Sequence, residues 1–597
     1  MPHRSFEEFF AYESLMNLAI RRGRPDEVLY VSNNSGQLNL WRRTLRGGCP
    51  ERLTFYEEHA VWFGLETPYG ILLMTDFQGR EKHQIALLQP GRWPEDLTRN
   101  PEAFHRFDRL SVTPDGRRVV FASDRDHPIT PDLFVLDLET REIRRLLHVG
   151  RQLMTGPVSP DGQWVLAFSS HDMETSDVFL VHLTTGDAEQ VIPPEPGVSM
   201  MPTAWHPSGR GFYVLTNRDH EFTWLGYFDL ERREMTPVVR RNHDVEWVWY
   251  HGNALYWLEN EGGTEVLYRR REGARRSHRF RLPLGQFRSL DFQGDALYFV
   301  LNGARYPSHL FRMNLRTGRY RKVAGGFYTD LSEDDLVEPE SITYRSFDGL
   351  PIQAWLYRPR GTSGPTPVVV SVHGGPNFQE RPWYMSLYQY LLQHGVAVFA
   401  PNYRGSTGFG KSFMRQVWRD WGGKELRDVE EGVRWLRQQS WVDPGRIGIF
   451  GGSYGGFLTL SALTRLPEYF CCGVDIVGPS NLVTFARSVP EHWKPYMEQL
   501  LGDPDKDREM LLERSPITYV ENLRAPLLVI QGANDPRVVK AESDQMVEAL
   551  RKRGVPVEYV VFEDEGHGFT KRMNQVRAFR LTAEFLLKHL KAGGDAG

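Results

Sequence analysis

The sequence has few cysteines, no long hydrophobic run and almost no net charge. Three cysteines in 597 residues are too few for a disulfide framework, and none forms the CxxC spacing that is typical of zinc sites. The longest apolar stretches fall far short of the roughly 20 residues that a membrane-spanning helix needs, and the N-terminus lacks the apolar run of a signal peptide. We therefore expect a cytoplasmic chain with reduced thiols, no metal or other cofactor, and no membrane partner.

The charges of the chain are balanced. Lys and Arg total 72 against 76 Asp and Glu, and the net charge of −4 gives no general attraction for nucleic acid. One basic run, residues 269–276, lies between two predicted strands, where it is typical of a solvated hairpin. Because a single hydrophobic core stops growing at roughly 250–300 residues, the length of the chain predicts at least two domains.

A repeat occupies the first half of the chain. The turn at residues 113–116, Thr-Pro-Asp-Gly, recurs at residues 159–162 and, as His-Pro-Ser-Gly, at residues 206–209. Each turn precedes an alternating apolar run, and Asp-Gly turns between such runs are typical of antiparallel hairpins. Similar runs before and after these turns bring the number of units to seven. This period predicts a seven-bladed β-propeller rather than a β-sandwich, since a sandwich needs no fixed period.

The pattern changes after residue 335, where short apolar strands alternate with long helical segments. This alternation predicts a parallel sheet covered by helices. Residues 446–450 form a predicted strand and residues 457–466 a predicted helix, and between them lies a GxSxG sequence with Ser453 at its centre. In this context GxSxG is the nucleophile elbow of an α/β-hydrolase, because its glycines allow the tight turn that exposes the serine. We therefore expect a doubly wound, mostly parallel α/β-hydrolase domain with Ser453 as its nucleophile.

A serine nucleophile needs a base, and the base needs a carboxylate that orients it. His567 lies in the loop after the predicted strand at residues 557–562, with a glycine on either side. Asp535 lies in the loop after the preceding predicted strand, whereas the alternative acid, Asp564, shares the loop of the histidine. We expect Asp535 to be the acid, because the order Ser453, Asp535, His567 is that of α/β-hydrolases.

An oxyanion hole needs two backbone N–H donors. The N–H of Tyr454, directly after the nucleophile, is the first candidate. Residues 373–376, His-Gly-Gly-Pro, follow an early predicted strand and match the HGG sequences of lipases and esterases, so we expect the second donor in this loop. We interpret His373 itself as a residue that supports the loop.

These motifs resemble those of the prolyl oligopeptidase family of serine peptidases, and most of all its acylaminoacyl-peptidase branch. The likeness covers nearly the whole chain and rests on HGGP at 373–376, NYRGSTGFG at 402–410, GGSYGG at 451–456, NDPRV at 534–538 and GHGF at 566–569. It implies a catalytic triad of Ser453, Asp535 and His567 and an oxyanion hole formed by the N–H groups of Tyr454 and Gly375. It also implies a propeller that covers the site and admits only short peptides.

The two halves of the chain set the expected domain limits. We expect an N-terminal segment over residues 1–24, which the resemblance places on the hydrolase domain. The propeller is expected over residues 25–335 and the hydrolase domain over residues 336–597.

The motifs leave the substrate class partly open. The dipeptidyl-peptidase branch of the family binds the substrate amino group with adjacent glutamates of the propeller, and residues 60–340 contain no Glu-Glu pair, which disfavours that activity. We expect hydrolysis of short peptides, with N-acylated peptides among the candidates. Oligopeptidase, carboxypeptidase and carboxylesterase activities stay open, as does a homo-oligomer. An inactive propeller scaffold is disfavoured, because both Ser453 and His567 are present.

Three further residues are candidates for substrate binding. Phe485 and Trp493 would line an apolar pocket, and core packing is the alternative for both. Arg537 would bind a substrate carbonyl or carboxylate, and pairing with an acidic neighbour is the alternative.

Overall fold

The computed structural model describes residues 4–21, 23–362 and 364–591. Within these residues the chain forms a β-propeller and an α/β-hydrolase domain, which confirms the predicted fold class. The ends of the expected domains, at residues 1–3 and 592–597, lie outside the described residues. No helix in the described part of the chain is long and apolar enough to cross a membrane.

The propeller consists of four-stranded antiparallel sheets. The described residues form seven such blades, and each blade takes four successive strands. The strands of blades 1 to 7 are, in chain order, β1 (Met16–Ile20), β2 (Glu27–Ser32), β3 (Asn39–Thr44), β4 (Glu51–Arg52), β5 (His59–Thr67), β6 (Gly70–Phe77), β7 (Gln84–Leu88), β8 (Glu95–Asp96), β9 (His105–Arg106), β10 (Arg118–Ser123), β11 (Asp132–Asp137), β12 (Ile143–Leu147), β13 (Leu153–Val158), β14 (Trp164–Ser170), β15 (Ser176–His182), β16 (Ala188–Ile192), β17 (Met200–Trp205), β18 (Gly211–Thr216), β19 (Trp224–Asp229), β20 (Glu234–Val239), β21 (Asp244–His251), β22 (Ala254–Glu261), β23 (Thr264–Arg271), β24 (His278–Arg279), β25 (Gln286–Gln293), β26 (Ala296–Gly303), β27 (Tyr306–Asn314) and β28 (Tyr320–Ala324).

The repeated turn connects the first two strands of a blade. In blade 3, Asp115 Oδ1 accepts hydrogen bonds from Thr113 Oγ1 and from the N–H of Arg117, at 2.6 and 3.0 Å. Gly116 then adopts a φ of +72°, a conformation that a residue with a side chain rarely adopts. Asp-Gly therefore closes the turn that brings the two strands into antiparallel register.

The ring closes without an exchange of strands between its ends, because blades 1 and 7 each consist of consecutive strands. The two blades are joined by side chains. The N–H of Leu18 donates to Ser289 Oγ at 2.8 Å, and the N–H of Ile20 donates to Asp291 Oδ2 at 2.7 Å. Apolar side chains from the two blades pack into one cluster beside these bonds.

The boundary expected at residue 24 requires a correction. Met16–Ile20 forms β1, which pairs with β2, so the first strand of the propeller lies inside the segment expected over residues 1–24. Of the described residues before β1, Phe6 and Phe10 pack on the hydrolase domain. The ring of Phe6 contacts Tyr390 edge-on with centroids 5.0 Å apart, and Phe10 stacks on Phe579 at 6.1 Å.

The hydrolase domain contains a single sheet in its described residues, with the order β29-β30-β32-β31-β33-β34-β35-β36. Pairs β29–β30 and β30–β32 are antiparallel, and the other pairs are parallel. Its strands are β29 (Glu340–Arg345), β30 (Pro351–Tyr357), β31 (Thr366–Val372), β32 (Ala397–Pro401), β33 (Val442–Gly452), β34 (Cys472–Ile476), β35 (Leu527–Gly532) and β36 (Val557–Phe562). The parallel strands end at one edge of the sheet, where an α/β fold usually places its site.

Helices cover the sheet. They are α1 (Ser386–Gln393), α2 (Lys411–Met414), α3 (Lys424–Arg437), α4 (Tyr454–Arg465), α5 (Leu482–Ser488), α6 (Lys494–Leu500), α7 (Arg508–Arg514), α8 (Lys540–Lys552) and α9 (Arg572–Lys591). Short 3₁₀ helices occur at Glu7–Phe10, Arg109–Ser111, Glu333–Asp335, Arg415–Val417, Glu491–Trp493 and Pro516–Asn522. The largest apolar cluster of the domain packs side chains of α3 and α4 against β31 and β33, directly beneath the serine turn.

Two connecting segments, residues 11–15 and 325–339, join the domains, and they meet in an antiparallel pair. The N–H of Glu13 donates to the carbonyl oxygen of Gly326 at 3.0 Å, and the N–H of Tyr328 donates to the carbonyl oxygen of Ala11 at 2.7 Å. The two connections between the propeller and the hydrolase domain therefore lie side by side in space, although they are far apart along the chain.

A buried ion cluster also links the domains. Arg381, in the loop after β31, contacts Glu246 of β21 and Glu265 of β23, with Nη1 to carboxylate oxygen distances of 3.0 and 3.1 Å. The Arg381 side chain is 11% exposed and that of Glu265 is 6% exposed. Burial raises the pKa of Glu265, and the carboxylate of Glu246 raises it further, whereas Arg381 lowers it. Arg381 thus contacts both carboxylates and offsets their mutual repulsion in a buried site.

Replacing Arg381 by methionine should destabilise the folded chain by about 3–5 kcal/mol, the usual cost of breaking a buried ion pair. Arg487→Met is the matched control, because Arg487 pairs with Asp505 at the surface, where both side chains are more than half exposed. Its expected cost is at most about 1 kcal/mol. Thermal unfolding of both variants measures the difference, and equal losses of stability would contradict the role assigned to Arg381.

Candidate active site

Ser453 lies at the turn between β33 and α4, and its backbone is strained. Its φ of 59° and ψ of −122° are rare for a residue with a side chain. The neighbouring glycines permit the turn. A Cβ at Gly451 would lie 2.5 Å from the backbone of Gly455, and a Cβ at Gly455 would lie 2.1 Å from the carbonyl oxygen of Val372. The strand before the serine and the helix after it, both expected from the sequence, are present.

The side chains of Asp535, His567 and Ser453 form one hydrogen-bonded chain. His567 Nδ1 lies 2.7 Å from Asp535 Oδ2, and His567 Nε2 lies 2.9 Å from Ser453 Oγ. Asp535 is buried, and its other oxygen accepts the N–H groups of Arg537 and Val538 at 2.8 and 3.0 Å. The carboxylate is therefore fixed by its own loop, and it orients the imidazole with Nε2 towards the serine.

Asp564 and Glu565, two of the acids in the histidine loop, have different contacts. Asp564 Oδ2 pairs with Lys571 Nζ at 2.7 Å, and Asp564 Oδ1 accepts a hydrogen bond from Asn574. Glu565 is fully buried and accepts the N–H groups of Thr570 and Lys571 at 2.9 and 3.0 Å. These acids fix the loop that carries His567, whereas Asp535 contacts the imidazole itself.

Tyr454 and Gly375, the residues expected to supply the oxyanion donors, line the same cavity as Ser453. Tyr454 is the first residue of α4, and the first N–H groups of a helix have no partner within the helix. Gly375 adopts a φ of +124° in the loop after β31. The Tyr454 hydroxyl donates to Glu425 Oε1 at 2.8 Å in a buried site, and burial raises the pKa of Glu425 to about 7. The side chain of Tyr454 is thus held inside the domain while its backbone lies beside the nucleophile.

His373 is enclosed by its own loop. Its Nε2 lies 2.8 Å from Ser406 Oγ, its Nδ1 lies 2.7 Å from the carbonyl oxygen of Gly374, and its ring stacks on Tyr403 with centroids 4.3 Å apart. Burial lowers the pKa of His373 to about 4, so the ring is neutral at physiological pH. These contacts fit the interpretation of His373 as a support for the glycine loop.

A cavity of about 680 Å³ opens over Ser453, between the hydrolase domain and the propeller. The three residues that the sequence offers as candidates for substrate binding, Phe485, Trp493 and Arg537, all line this cavity. Phe485 also packs against Trp421 with ring centroids 6.0 Å apart, so it contributes to the core and to the cavity wall at once. Most of the other side chains that the hydrolase domain contributes to the wall are apolar or aromatic, namely Phe378, Trp421, Pro479, Tyr496, Met497, Leu500 and Val538. Asn377 is a polar exception.

One part of the cavity wall comes from the propeller and was not predicted from the sequence. This part consists of Gln152, Met154, Ser170 and Met173, in and around the first two strands of blade 4. No motif marks these residues. Their position follows from the docking of the two domains, which brings the N–H of Met173 within 2.8 Å of Gln499 Oε1 in α6.

Arg537 has an acidic partner from the propeller. Its Nε lies 2.7 Å from Glu81 Oε1, and its guanidinium lies over the ring of Trp493 at 5.3 Å from the centroid. The structural alternative for Arg537, pairing with an acidic neighbour, is therefore present. Because the side chain also lines the cavity, a substrate oxygen would compete with Glu81 for the guanidinium.

Comparison with protein families gives a match over most of the hydrolase domain. The family model described as the prolyl oligopeptidase family matches residues 382–593, and a model for acetyl xylan esterase matches residues 327–422. Residues 382–593 are thus similar to the prolyl oligopeptidase family.

The curated relatives of this chain carry different enzyme names. Dipeptidyl aminopeptidase BIII of Pseudoxanthomonas mexicana is 42% identical over 305 residues, which cover 49% of this chain and 44% of that protein. The acylamino-acid-releasing enzyme of Mus musculus is 29% identical over 262 residues, which cover 42% of this chain and 35% of that enzyme. The chain thus matches less than half the length of these two curated relatives.

The likeness in fold extends over both domains. The crystal structure of a puromycin hydrolase superposes with a TM-score of 0.85 and covers 97% of this chain and 94% of the other. The sequence identity is 21%, so this comparison shows the architecture, propeller and hydrolase domain together.

Proposed function

We propose that this chain is a serine peptidase that hydrolyses short peptides through an acyl-enzyme intermediate, with Ser453, His567 and Asp535 as its catalytic triad. The observation that carries the proposal is the hydrogen-bonded chain from Asp535 through His567 to Ser453, with N···O distances of 2.7 and 2.9 Å, at the base of a cavity. The relationship of the hydrolase domain to the prolyl oligopeptidase family supports the choice of a peptide bond as substrate.

The proposed reaction has two halves. Ser453 Oγ attacks the carbonyl carbon while His567 Nε2 takes the serine proton, and the N–H groups of Tyr454 and Gly375 stabilise the oxyanion. The C–N bond then breaks as His567 returns the proton to the leaving amine, which leaves the acyl group on Ser453. A water molecule repeats the sequence on the acyl-enzyme and releases the acid, and Asp535 stabilises the imidazolium in both halves.

The lining of the cavity favours a substrate without a free amino group near the reacting bond. Among the described residues that line it there is no aspartate or glutamate, and Arg537 is the charged side chain. An ammonium group would be desolvated there without a carboxylate partner, whereas a neutral N-acyl group suits the apolar wall. We therefore propose acylaminoacyl-peptidase or oligopeptidase activity, in a cytoplasmic enzyme.

Dipeptidyl peptidase is the second candidate, because the relative with 42% identity carries that name. For this activity the chain would need a carboxylate that meets the substrate amino group. Glu81 is a candidate on the propeller side, although its carboxylate already contacts Arg537. Carboxylesterase activity is a weaker alternative, which the partial match to the acetyl xylan esterase model keeps open.

The size of the cavity predicts a limit on substrate length. A volume of about 680 Å³ is in the usual range for sites that bind drug-sized ligands, so it admits only a few residues. A folded domain of 100 residues has a radius of gyration of about 13 Å and cannot enter a space roofed by the propeller.

One peptide series tests both substrate preferences. We expect kcat/KM to fall to background between peptides of a few residues and peptides of several tens, and casein to resist cleavage. Among the short peptides that are cleaved, the N-acetylated form should exceed the free-amino form by at least about tenfold, since burial of an unpaired ammonium costs more than about 1.4 kcal/mol. If kcat/KM did not change with peptide length, the proposed limit on substrate length would be wrong. A preference for free-amino peptides, with release of dipeptides, would instead establish the second candidate.

A further inference from the structure

A group of side chains on blade 3 has no part in the proposed reaction. Asp132, the first residue of β11, is fully buried, and each of its oxygens is contacted by one imidazole. His127 Nδ1 lies 2.8 Å from Oδ2, and His148 Nδ1 lies 2.6 Å from Oδ1. The planes of the two rings are tilted by 32°, and their centroids lie 4.3 Å apart. Two imidazole nitrogens and a carboxylate therefore converge within one small volume.

We propose that His127, Asp132 and His148 form a binding site for a divalent transition-metal ion of the zinc type. Imidazole nitrogen and carboxylate oxygen are ligands that zinc binds at about 2.0–2.2 Å, and three protein ligands with an open position are a common zinc arrangement. Calcium and magnesium are disfavoured, because both prefer oxygen ligands.

The three ligand atoms all lie within 4.8 Å of one another, a spread that small shifts of the side chains bring to the spacing of a tetrahedral site. Two atoms bound to one zinc ion at a tetrahedral angle are roughly 3.4 Å apart, given bond lengths of about 2.1 Å. The observed separations of 2.8 and 2.6 Å must therefore widen by less than about 1 Å. Both imidazoles can make this movement, since their side chains are 40% and 39% exposed, while the buried Asp132 stays in place. Each imidazole proton moves to Nε2, so that the Nδ1 lone pair faces the ion.

Blade 4 offers a matched position that lacks the second histidine. Asp177 of β15 pairs with Ser169 across the sheet just as Asp132 pairs with Ser123. Its carboxylate contacts His171 at 3.1 Å and Arg151 at 3.0 Å. Arginine has no lone pair for a metal, so the position in blade 4 is an ion-paired carboxylate and that in blade 3 is a set of ligands.

One positive charge lies near the proposed site. Arg145 Nη1 is 3.7 Å from Asp132 Oδ2 and 3.6 Å from Asp126 Oδ2, and its side chain is 47% exposed. When an ion binds, Arg145 keeps Asp126 as a partner. Its charge nevertheless repels the ion, so its removal should tighten binding.

The test is titration of the full chain, without a histidine tag, with Zn²⁺ against a chromophoric chelator and with Co²⁺ followed by its visible d–d absorption. We expect one equivalent to bind to the wild type. His127→Gln and His148→Gln should each weaken this equivalent by about tenfold or more, as loss of a direct ligand exceeds the usual effect of an outer partner. His171→Gln, the control in blade 4, should leave it unchanged, and Arg145→Gln should tighten it.

The two histidine variants change half-exposed side chains, so a folding defect does not obscure the result, and circular dichroism verifies the fold. Equal binding by the wild type and by the double variant His127→Gln/His148→Gln would overturn the proposal. So would a Co²⁺ spectrum that changes with His171→Gln and not with His148→Gln.

Discussion

Ser453→Ala should reduce peptide turnover by roughly 10⁴-fold or more, with little change in stability. The variant removes the oxygen that forms the acyl-enzyme, while the cavity and the backbone donors stay. Its Oγ has one described side-chain partner, His567, so the loss of the hydroxyl leaves the core intact. Residual activity would come from substrate binding and the oxyanion donors alone. Turnover of a short N-acetylated peptide measures the effect, and thermal unfolding verifies the fold.

Labelling by a fluorophosphonate identifies the nucleophile directly. The wild type should be labelled and Ser453→Ala should not. Ser341→Ala is the control, since Ser341 lies on the edge strand β29 and bonds to Gln353 at the surface. It should be labelled and should turn over peptide like the wild type. Persistent labelling of the Ser453 variant would show that another serine reacts.

Asp535→Asn should also reduce kcat by roughly 10⁴-fold, by analogy with the loss of the acid in other triads. An asparagine can present an N–H to His567 Nδ1, and the imidazole then carries its proton on Nε2, where it cannot accept the proton of Ser453. The neighbouring loop should keep its form, because the amide oxygen can still accept the N–H groups of Arg537 and Val538.

Asp564→Asn distinguishes the two acids that the sequence left in competition. Asp564 pairs with Lys571 and lies in the histidine loop without a described contact to the imidazole. We expect its kcat to stay within a few-fold of the wild type. An equal loss of kcat in Asp535→Asn and Asp564→Asn would contradict the assignment of Asp535 as the acid of the triad.

The sequence predicted the parts of the site that follow single strands. Ser453, Asp535 and His567 each lie in the loop directly after a strand with a clear apolar pattern, and parallel strands end at one edge of a sheet. The same reasoning gave the glycine loop, because Gly375 follows β31. The local sequence pattern and the sheet topology are sufficient to predict where such residues lie.

Residues that depend on contacts between distant segments could not be predicted in this way. Met154 and Met173 reach the cavity only because blade 4 docks on α6, and nothing in their neighbourhood marks that contact. The strand β1 was assigned to the N-terminal segment because it is short and its partner is recognised only once the blade is assembled. His127 and His148 come together because two loops of one blade meet at Asp132, a pairing with no fixed spacing in sequence.

The paired connecting segments determine how the two domains can separate. Because residues 11–15 and 325–339 are hydrogen-bonded to each other beside blades 1 and 7, we expect them to act as one hinge at one edge of the molecule. Rotation about that edge opens the opposite side most. There the domains meet through Arg415 with Glu174 and Gln499 with Met173, polar contacts that water can replace. We therefore expect a peptide to reach Ser453 from the side of blade 4, through an opening whose width depends on the angle of the hinge.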